Sequence, residues 1–228
     1  MNDIYIVDKN VEKIINGKYT FFLDSKLQKL VKSKLKKYKY NIYIPYKDSE
    51  KVIFYNDIKP NLILYEIKCM NVLKHQDIMG TLFSLGIDPC MYGDILIIDN
   101  KYYIYVLDII SNYLVNNLTM INNKKVELVN INVNALNDYE RKYEELEFVV
   151  SSERIDTIIS SIIHCNRESV SKMIKDKYIL VNYDSPKSSY NLKSGDILSI
   201  RKYGKYKYVG IINKTKKDNY VVLVNKYI

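Results

Sequence analysis

The chain is poor in several residue types: no tryptophan, three cysteines, two histidines, four prolines and seven glycines among 228 residues. Cys69, Cys90 and Cys165 are odd in number and widely spaced, which argues against a disulfide framework and for a reducing compartment. There is no CxxC pair, and His75 and His164 lie far apart, so no structural zinc site is expected. No P-loop and no Rossmann glycine pattern occurs, and no cofactor is expected. No apolar run reaches the roughly eighteen residues of a transmembrane helix. The opening Met1-Asn2-Asp3-Ile4 lacks the basic-then-apolar layout of a secretion signal, so the expected location is cytoplasmic, with no membrane partner.

Arginine is scarce as well, at 4 residues against 31 lysines. Lysine, tyrosine, isoleucine and asparagine share A/T-rich codons, so the 23 tyrosines do not by themselves indicate a base-stacking surface. The same bias gives weight to each retained arginine, because a guanidinium offers planar, bidentate contact that lysine cannot. Charge is distributed unevenly. Residues 151–228 hold 15 basic and 7 acidic side chains, while residues 1–150 hold 20 and 19. A basic module on a near-neutral body points to a polyanionic partner, most commonly nucleic acid.

The pattern predicts an α+β protein in three segments. Residues 1–60 form a basic N-terminal α/β segment. Asp24 to Lys39 reads as an amphipathic helix with an apolar stripe of Leu27, Leu30, Val31 and Leu35. Its lysine side, including Lys29, Lys32 and Lys36, is either a solvated face or a secondary RNA contact. Asn41–Tyr46 and Lys51–Tyr55 read as short strands. Residues 61–148 give the order β-α-β-β-α-β: strand Leu62–Lys68, helix His75–Leu85, strands Ile95–Ile98 and Tyr102–Leu107, helix Ile109–Leu118 and strand Val126–Val133. This is the split-βαβ plan of RRM and ferredoxin-like modules. Tyr103 and Tyr105 share one face of its third strand, as stacking residues or as ordinary sheet tyrosines. Gly93-Asp94 reads as a strand-entry turn, and the acidic stretch Asp138–Glu147 as a connecting helix or linker.

Residues 149–228 form the basic module. Ile155, Ile158, Ile159, Ile162 and Ile163 make a full helical face. Asn166 can cap a second helix with Val170, Met173 and Ile174 on its apolar arc and Arg167, Ser171, Lys172 and Lys175 on another. Cations and a hydroxyl fixed on a rigid element suit phosphate contact. Strands follow at Ile179–Tyr183 and Ile197–Lys202, and then Arg201, Lys202, Lys205 and Lys207 interleave with tyrosines around Gly204. This stretch reads as a hairpin tip that grips RNA backbone or as an ordinary charged hairpin. Asp156 and Asp196 read as structural acids.

The motifs Arg154-Ile155-Asp156, Asn166-Arg167, Met173-Ile174, Ile179-Leu180-Val181-Asn182 and Gly195-Asp196-Ile197-Leu198 resemble the alpha-L RNA-binding domain of the S-four type. Lys177 stands where that family has glycine after the second helix, so a reshaped turn is expected. The likeness continues through Arg201-Lys202-Tyr203-Gly204-Lys205-Tyr206-Lys207, His75-Gln76-Asp77, Leu85-Gly86-Ile87, Gly93-Asp94-Ile95 and Phe22-Leu23-Asp24, which are similar to the YlmH family. Residues 40–60 lack that family's Ala-Glu-Arg stretch. The resemblance implies a bacterial RNA-binding protein associated with the large ribosomal subunit, with rRNA and tRNA as partners, acting on stalled nascent chains. It also carries links to cell division.

The reading is therefore a monomeric, non-catalytic RNA-binding factor. Its expected contacts are Arg154, Arg167, Ser171, Lys172, Lys175, Arg201, Lys202, Lys205 and Lys207, with Tyr103, Tyr105, Lys29, Lys32 and Lys36 as secondary ones. A His75–Asp77 pair can do acid–base work, but no motif places a nucleophile beside it. Two alternatives stand beside this reading. One is an RNA-modifying enzyme of pseudouridine-synthase type, although its Gly-Arg-Leu-Asp motif is absent. The other is a protein-interaction scaffold, consistent with 10 basic and 15 acidic residues over 46–150.

Overall fold

A computed structural model describes residues 3–228, which divide into two compact units, one ending at Glu140 and one spanning Arg141–Ile228. The first unit opens with helix α1 (Asp3–Ile15), which the sequence reading did not foresee. Val7 and Ile14 face its core together with Asn10, which is fully buried. The Asn10 side chain accepts from the Phe21 amide at 2.8 Å and donates to the Ile6 carbonyl at 2.8 Å, so its burial leaves no polar group unmet. Helix α2 (Ser25–Lys34) starts on Asp24, whose carboxylate accepts from the Leu27 amide at 2.9 Å. It ends at Lys34 rather than Lys39, and Leu30 lies exposed outside the buried stripe of Leu27, Val31 and Leu35. Lys26–Asp3 and Lys34–Asp8 ion pairs tie α1 to α2. A two-stranded ribbon of β1 (Asn41–Tyr43) and β2 (Ile53–Tyr55) follows.

The rest of this unit is β3 (Leu62–Lys68), α3 (His75–Ser84), β4 (Tyr92–Ile98), β5 (Lys101–Leu107), α4 (Ser111–Asn117), a small hairpin of β6 (Met120–Ile121) and β7 (Lys124–Lys125), and β8 (Glu127–Ile131). The sheet order is β4-β5-β3-β8, antiparallel throughout, which is the split-βαβ arrangement. One sheet face carries Tyr65, Ile67, Tyr102, Ile104 and Val106 and packs on Ile78 and Leu82 of α3 and Leu114 of α4.

The opposite face is the one through which an RRM sheet stacks bases. Here Leu62, Leu64, Leu96, Tyr105 and Leu107 on that face are buried against Phe22, Tyr46 and Ile53 from the N-terminal segment. Tyr105 has no exposed surface, stacks on Tyr46 with centroids 6.3 Å apart and donates to the Val133 carbonyl at 3.3 Å. Burial pushes its phenol up to about 12. It therefore offers no ring to a base, which rules out the secondary RNA contact and leaves the ordinary sheet-tyrosine alternative, while Tyr103 on the same face is half-buried.

Gly93-Asp94 is not a turn but an irregularity inside β4, between Tyr92 and Ile95. A Cβ on Gly93 would stand 3.0 Å from the Phe22 ring and 3.3 Å from the Tyr105 Cβ, so the missing side chain lets the N-terminal segment approach the sheet. Asp94 then accepts from the Tyr46 hydroxyl at 2.6 Å and the Glu50 amide at 2.8 Å, which fastens the β1–β2 connection.

The second unit contains β9 (Tyr143–Val150), α5 (Ile155–Ile163), α6 (Arg167–Lys175), β10 (Ile179–Val181), β11 (Ile197–Ile200), β12 (Gly204–Lys214) and β13 (Tyr220–Tyr227). They form one antiparallel sheet in the order β10-β11-β12-β13-β9. The acidic stretch read as a linker is thus largely a strand. Leu146, Phe148 and Val150 of β9 turn to the core, which hides the helical-looking charge of Glu144, Glu145 and Glu147 within a period-2 pattern. The isoleucines of α5 and Val170 and Ile174 of α6 cover one sheet face, meeting Leu198, Ile200, Tyr206, Tyr208, Val222 and Val224.

Candidate nucleic-acid interface

Helix α6 begins on Asn166, whose side chain accepts from the Ser169 amide at 2.8 Å. Burial of Val170 and Ile174 fixes its rotation and turns Arg167, Lys172 and Lys175 outward, with Ser171 half-buried between them. These four residues line one open groove of ≈ 520 Å³. Glu168 and Asp176 line it too, so the cations are not alone there. Arg167 also donates to the Ser151 hydroxyl at 3.0 Å.

Arg154 sits at the start of α5, where its guanidinium meets Asp156 through two hydrogen bonds, 2.7 Å from Nη2 and 3.1 Å from Nε. Asp156 is only 5% exposed and also accepts from the Thr157 amide at 2.9 Å. Burial drives its carboxyl upward, but the Arg154 hydrogen bonds and charge outweigh burial, and the carboxyl titrates below its ordinary value. Arg154 therefore holds the helix start together while its side chain stays 44% exposed.

The turn after α6 keeps the shape that glycine would give it. Lys177 takes φ 56°, its amide donates to the Ile174 carbonyl at 3.0 Å, and the Tyr178 amide donates to the Met173 carbonyl at 2.8 Å. These two bonds are the Schellman pair. The turn is not reshaped; lysine adopts the left-handed conformation at a cost of about 1 kcal/mol. Lys177→Gly is expected to stabilise the second unit by at most about 0.5 kcal/mol, the added backbone entropy of glycine offsetting most of the relief. Chemical denaturation of the two proteins measures this directly.

Asp196 is the other fixed point. Its buried carboxylate accepts from Tyr190 Oη at 2.9 Å, Asn182 Nδ2 at 2.6 Å and the Lys193 amide at 2.9 Å. The Asn182 side-chain oxygen accepts in turn from the Ile197 amide at 3.1 Å.

The second expected basic group does not sit together at one tip. Arg201 and Lys202 lie in the β11–β12 turn, Lys202 at φ 73°, whereas Lys205 and Lys207 belong to β12. The Arg201 guanidinium stacks 4.8 Å from the Tyr178 ring. In the first unit Lys29 and Lys32 lie on α2, but Lys36 falls beyond its end. Lys32 stands 5.5 Å from the Phe54 ring. Asp77 caps α3 by accepting from the Lys74 amide at 3.0 Å, and His164 takes φ 53° at the end of α5. No metal-holding cluster of His, Cys, Asp or Glu occurs among the described residues. Among the described residues no helix is long and apolar enough to cross a membrane. The sequence reading missed Arg141, Tyr143, Tyr183 and Tyr227, whose rings and charge gather around Lys205; the tyrosine–lysine alternation at the strand ends was the available signal.

The fold is α+β, and the outward face of α6 is its candidate nucleic-acid surface. Residues 57–135 match the family model described as "Putative RNA-binding domain in YlmH". The chain is 27% identical over 180 residues to the Ribosome-associated protein quality control protein P2 of Bacillus subtilis (strain 168), covering 75% of this chain and 70% of that one. A solved structure of the cell division protein ylmH from Streptococcus pneumoniae is 22% identical, covers 60% of this chain and 94% of its own, and gives a TM-score of 0.49.

Proposed function

We propose that the chain is a non-catalytic factor that grips structured RNA through the outward face of α6. Arg167, Ser171, Lys172 and Lys175 contact phosphates, with Arg154 beside them and Arg201, Lys202, Lys205 and Lys207 extending the contact. The observation that supports this most directly is the groove in which three cations and a hydroxyl share one face of a helix whose other face is buried. The name of the Bacillus subtilis relative supports a setting in ribosome-associated quality control; within it, large-subunit rRNA and tRNA are the RNAs we propose, and stalled nascent chains the task. The unit ending at Glu140 acts in this reading as the body that carries the basic unit Arg141–Ile228.

Binding to purified large ribosomal subunits across a salt series tests the proposal. The four cations Arg154, Arg167, Lys172 and Lys175 alone give a log–log slope near −3 to −4, from the release of condensed counterions, and the Arg201–Lys207 contacts steepen it further. Binding that stays unchanged from low to high salt would falsify the phosphate-grip mechanism.

A further inference from the structure

The C-terminal sheet has two faces, and only one of them is covered by α5 and α6. On the other, strand alternation and register place Tyr143, Tyr227, Lys205 and Ser199 in one row across β9, β13, β12 and β11. The next row holds Glu145, Asn225, Lys207 and Ile197. We propose that this face holds unpaired RNA bases, which stack on Tyr143, Tyr227 and Tyr183 while Lys205, Lys207 and Arg141 neutralise the adjoining phosphates. The inference rests on the RNA-binding reading above and deepens it: α6 takes phosphates of structured RNA, and the sheet takes an unpaired stretch.

Rings and cations interleave here. Lys205 Nζ lies 5.0 Å from the Tyr183 ring centroid and 5.2 Å from that of Tyr227, and it donates to the Tyr183 hydroxyl at 3.0 Å. The Arg141 guanidinium stands 4.9 Å from the Tyr227 ring, and Lys207 Nζ 5.9 Å from the Tyr143 ring. Tyr143 and Tyr227 meet edge to face with centroids 5.2 Å apart, which holds both rings in defined orientations. All six side chains are half-buried, so each keeps surface to offer a ligand.

The acids on this face decide where a strand can lie. Glu145 and Glu147 stand on β9 beyond the tyrosine row, so phosphates are favoured at the Lys205 end and disfavoured along the outer edge. A positively charged surface with aromatic platforms is the general solution for single-stranded nucleic acid, because every base has a π-face. A duplex keeps its bases stacked on one another and cannot use such platforms.

The test measures binding of the full chain to two labelled RNAs, a blunt hairpin and the same hairpin with a flank of ~6 unpaired adenosines. The wild type is expected to bind the flanked RNA ~10-fold or more tightly than the blunt one. Tyr143→Leu/Tyr227→Leu keeps apolar cover on the sheet and is expected to lose that gain while binding the blunt hairpin as before. Tyr143→Phe/Tyr227→Phe keeps the rings and is expected to retain the gain. A thermal melt of each variant shows that the unit is intact. Equal binding of both RNAs by the wild type, or a leucine variant that keeps the gain, overturns the proposal. Failure of the wild type to bind either RNA instead overturns the RNA-binding reading on which it rests.

Discussion

Arg167→Glu/Lys172→Glu is expected to lower affinity for structured RNA by about 100-fold near physiological salt and to flatten the salt dependence by about 2 in log–log slope. Two phosphate contacts are lost and two like charges are set against the backbone. Both side chains are exposed, and the helix is held from its other face by Val170 and Ile174, so the fold should be unaffected. The groove also contains Glu168, which repels the same phosphates. Glu168→Gln should therefore move affinity the opposite way, by a few-fold at low salt. Filter binding or anisotropy over a salt series reads all three proteins. Unchanged affinity in the double variant would remove α6 from the interface.

Asp196→Ala is expected to destabilise the second unit by about 3 kcal/mol, through donors left unmet in the interior rather than through lost packing. Three groups point at this carboxylate: the Tyr190 hydroxyl, the Asn182 amide and the Lys193 amide. Without it Asn182, at φ 50°, loses the partner that aims its oxygen at the Ile197 amide, so the loss spreads into β11. Tyr190 carries the electrostatic mark of this contact, its phenol raised by burial and by the hydrogen bond to Asp196. Asp196→Asn retains part of the volume but brings its own donors, and about half the loss is expected. In a domain of this size the alanine change corresponds to a fall in Tm of roughly 12–24 °C. A shift of only a degree or two would show that water or a rearranged turn replaces the carboxylate.

The sequence was most informative where one periodicity ran undisturbed. Leu62–Lys68 is found as read, α3 begins at His75 as read, and α6 begins after Asn166, its expected cap. It was less informative where polar residues do buried work. Helix α1 was obscured because Asn10 occupies a core position and serves the backbone of Phe21, which breaks the apolar stripe. In β9 three glutamates suggested a helix or a linker, although Leu146, Phe148 and Val150 alternate beneath them. Which of its two alternatives Tyr105 takes was not legible, for a different reason. Strand alternation gives the face a residue occupies, but what covers that face is a long-range fact, set here by Phe22, Tyr46 and Ile53. The arc Arg167, Ser171, Lys172 and Lys175 was legible because a helix with a buried stripe leaves its remaining positions no other place to go. The gathering of Tyr143, Tyr183 and Tyr227 was not, because it depends on strand order across the sheet.

The covered sheet of the first unit bears on heredity as well as on binding. The stretch that matches the family, residues 57–135, does not carry all of its own interior: Phe22, Tyr46 and Ile53 lie outside it and complete the core. A recombination event that moved the matching stretch alone would deliver a sheet with an uncovered wall of Leu62, Leu64, Leu96 and Leu107. The N-terminal segment is thus part of the module's own interior, and a side chain added at Gly93 would have to displace the Phe22 ring.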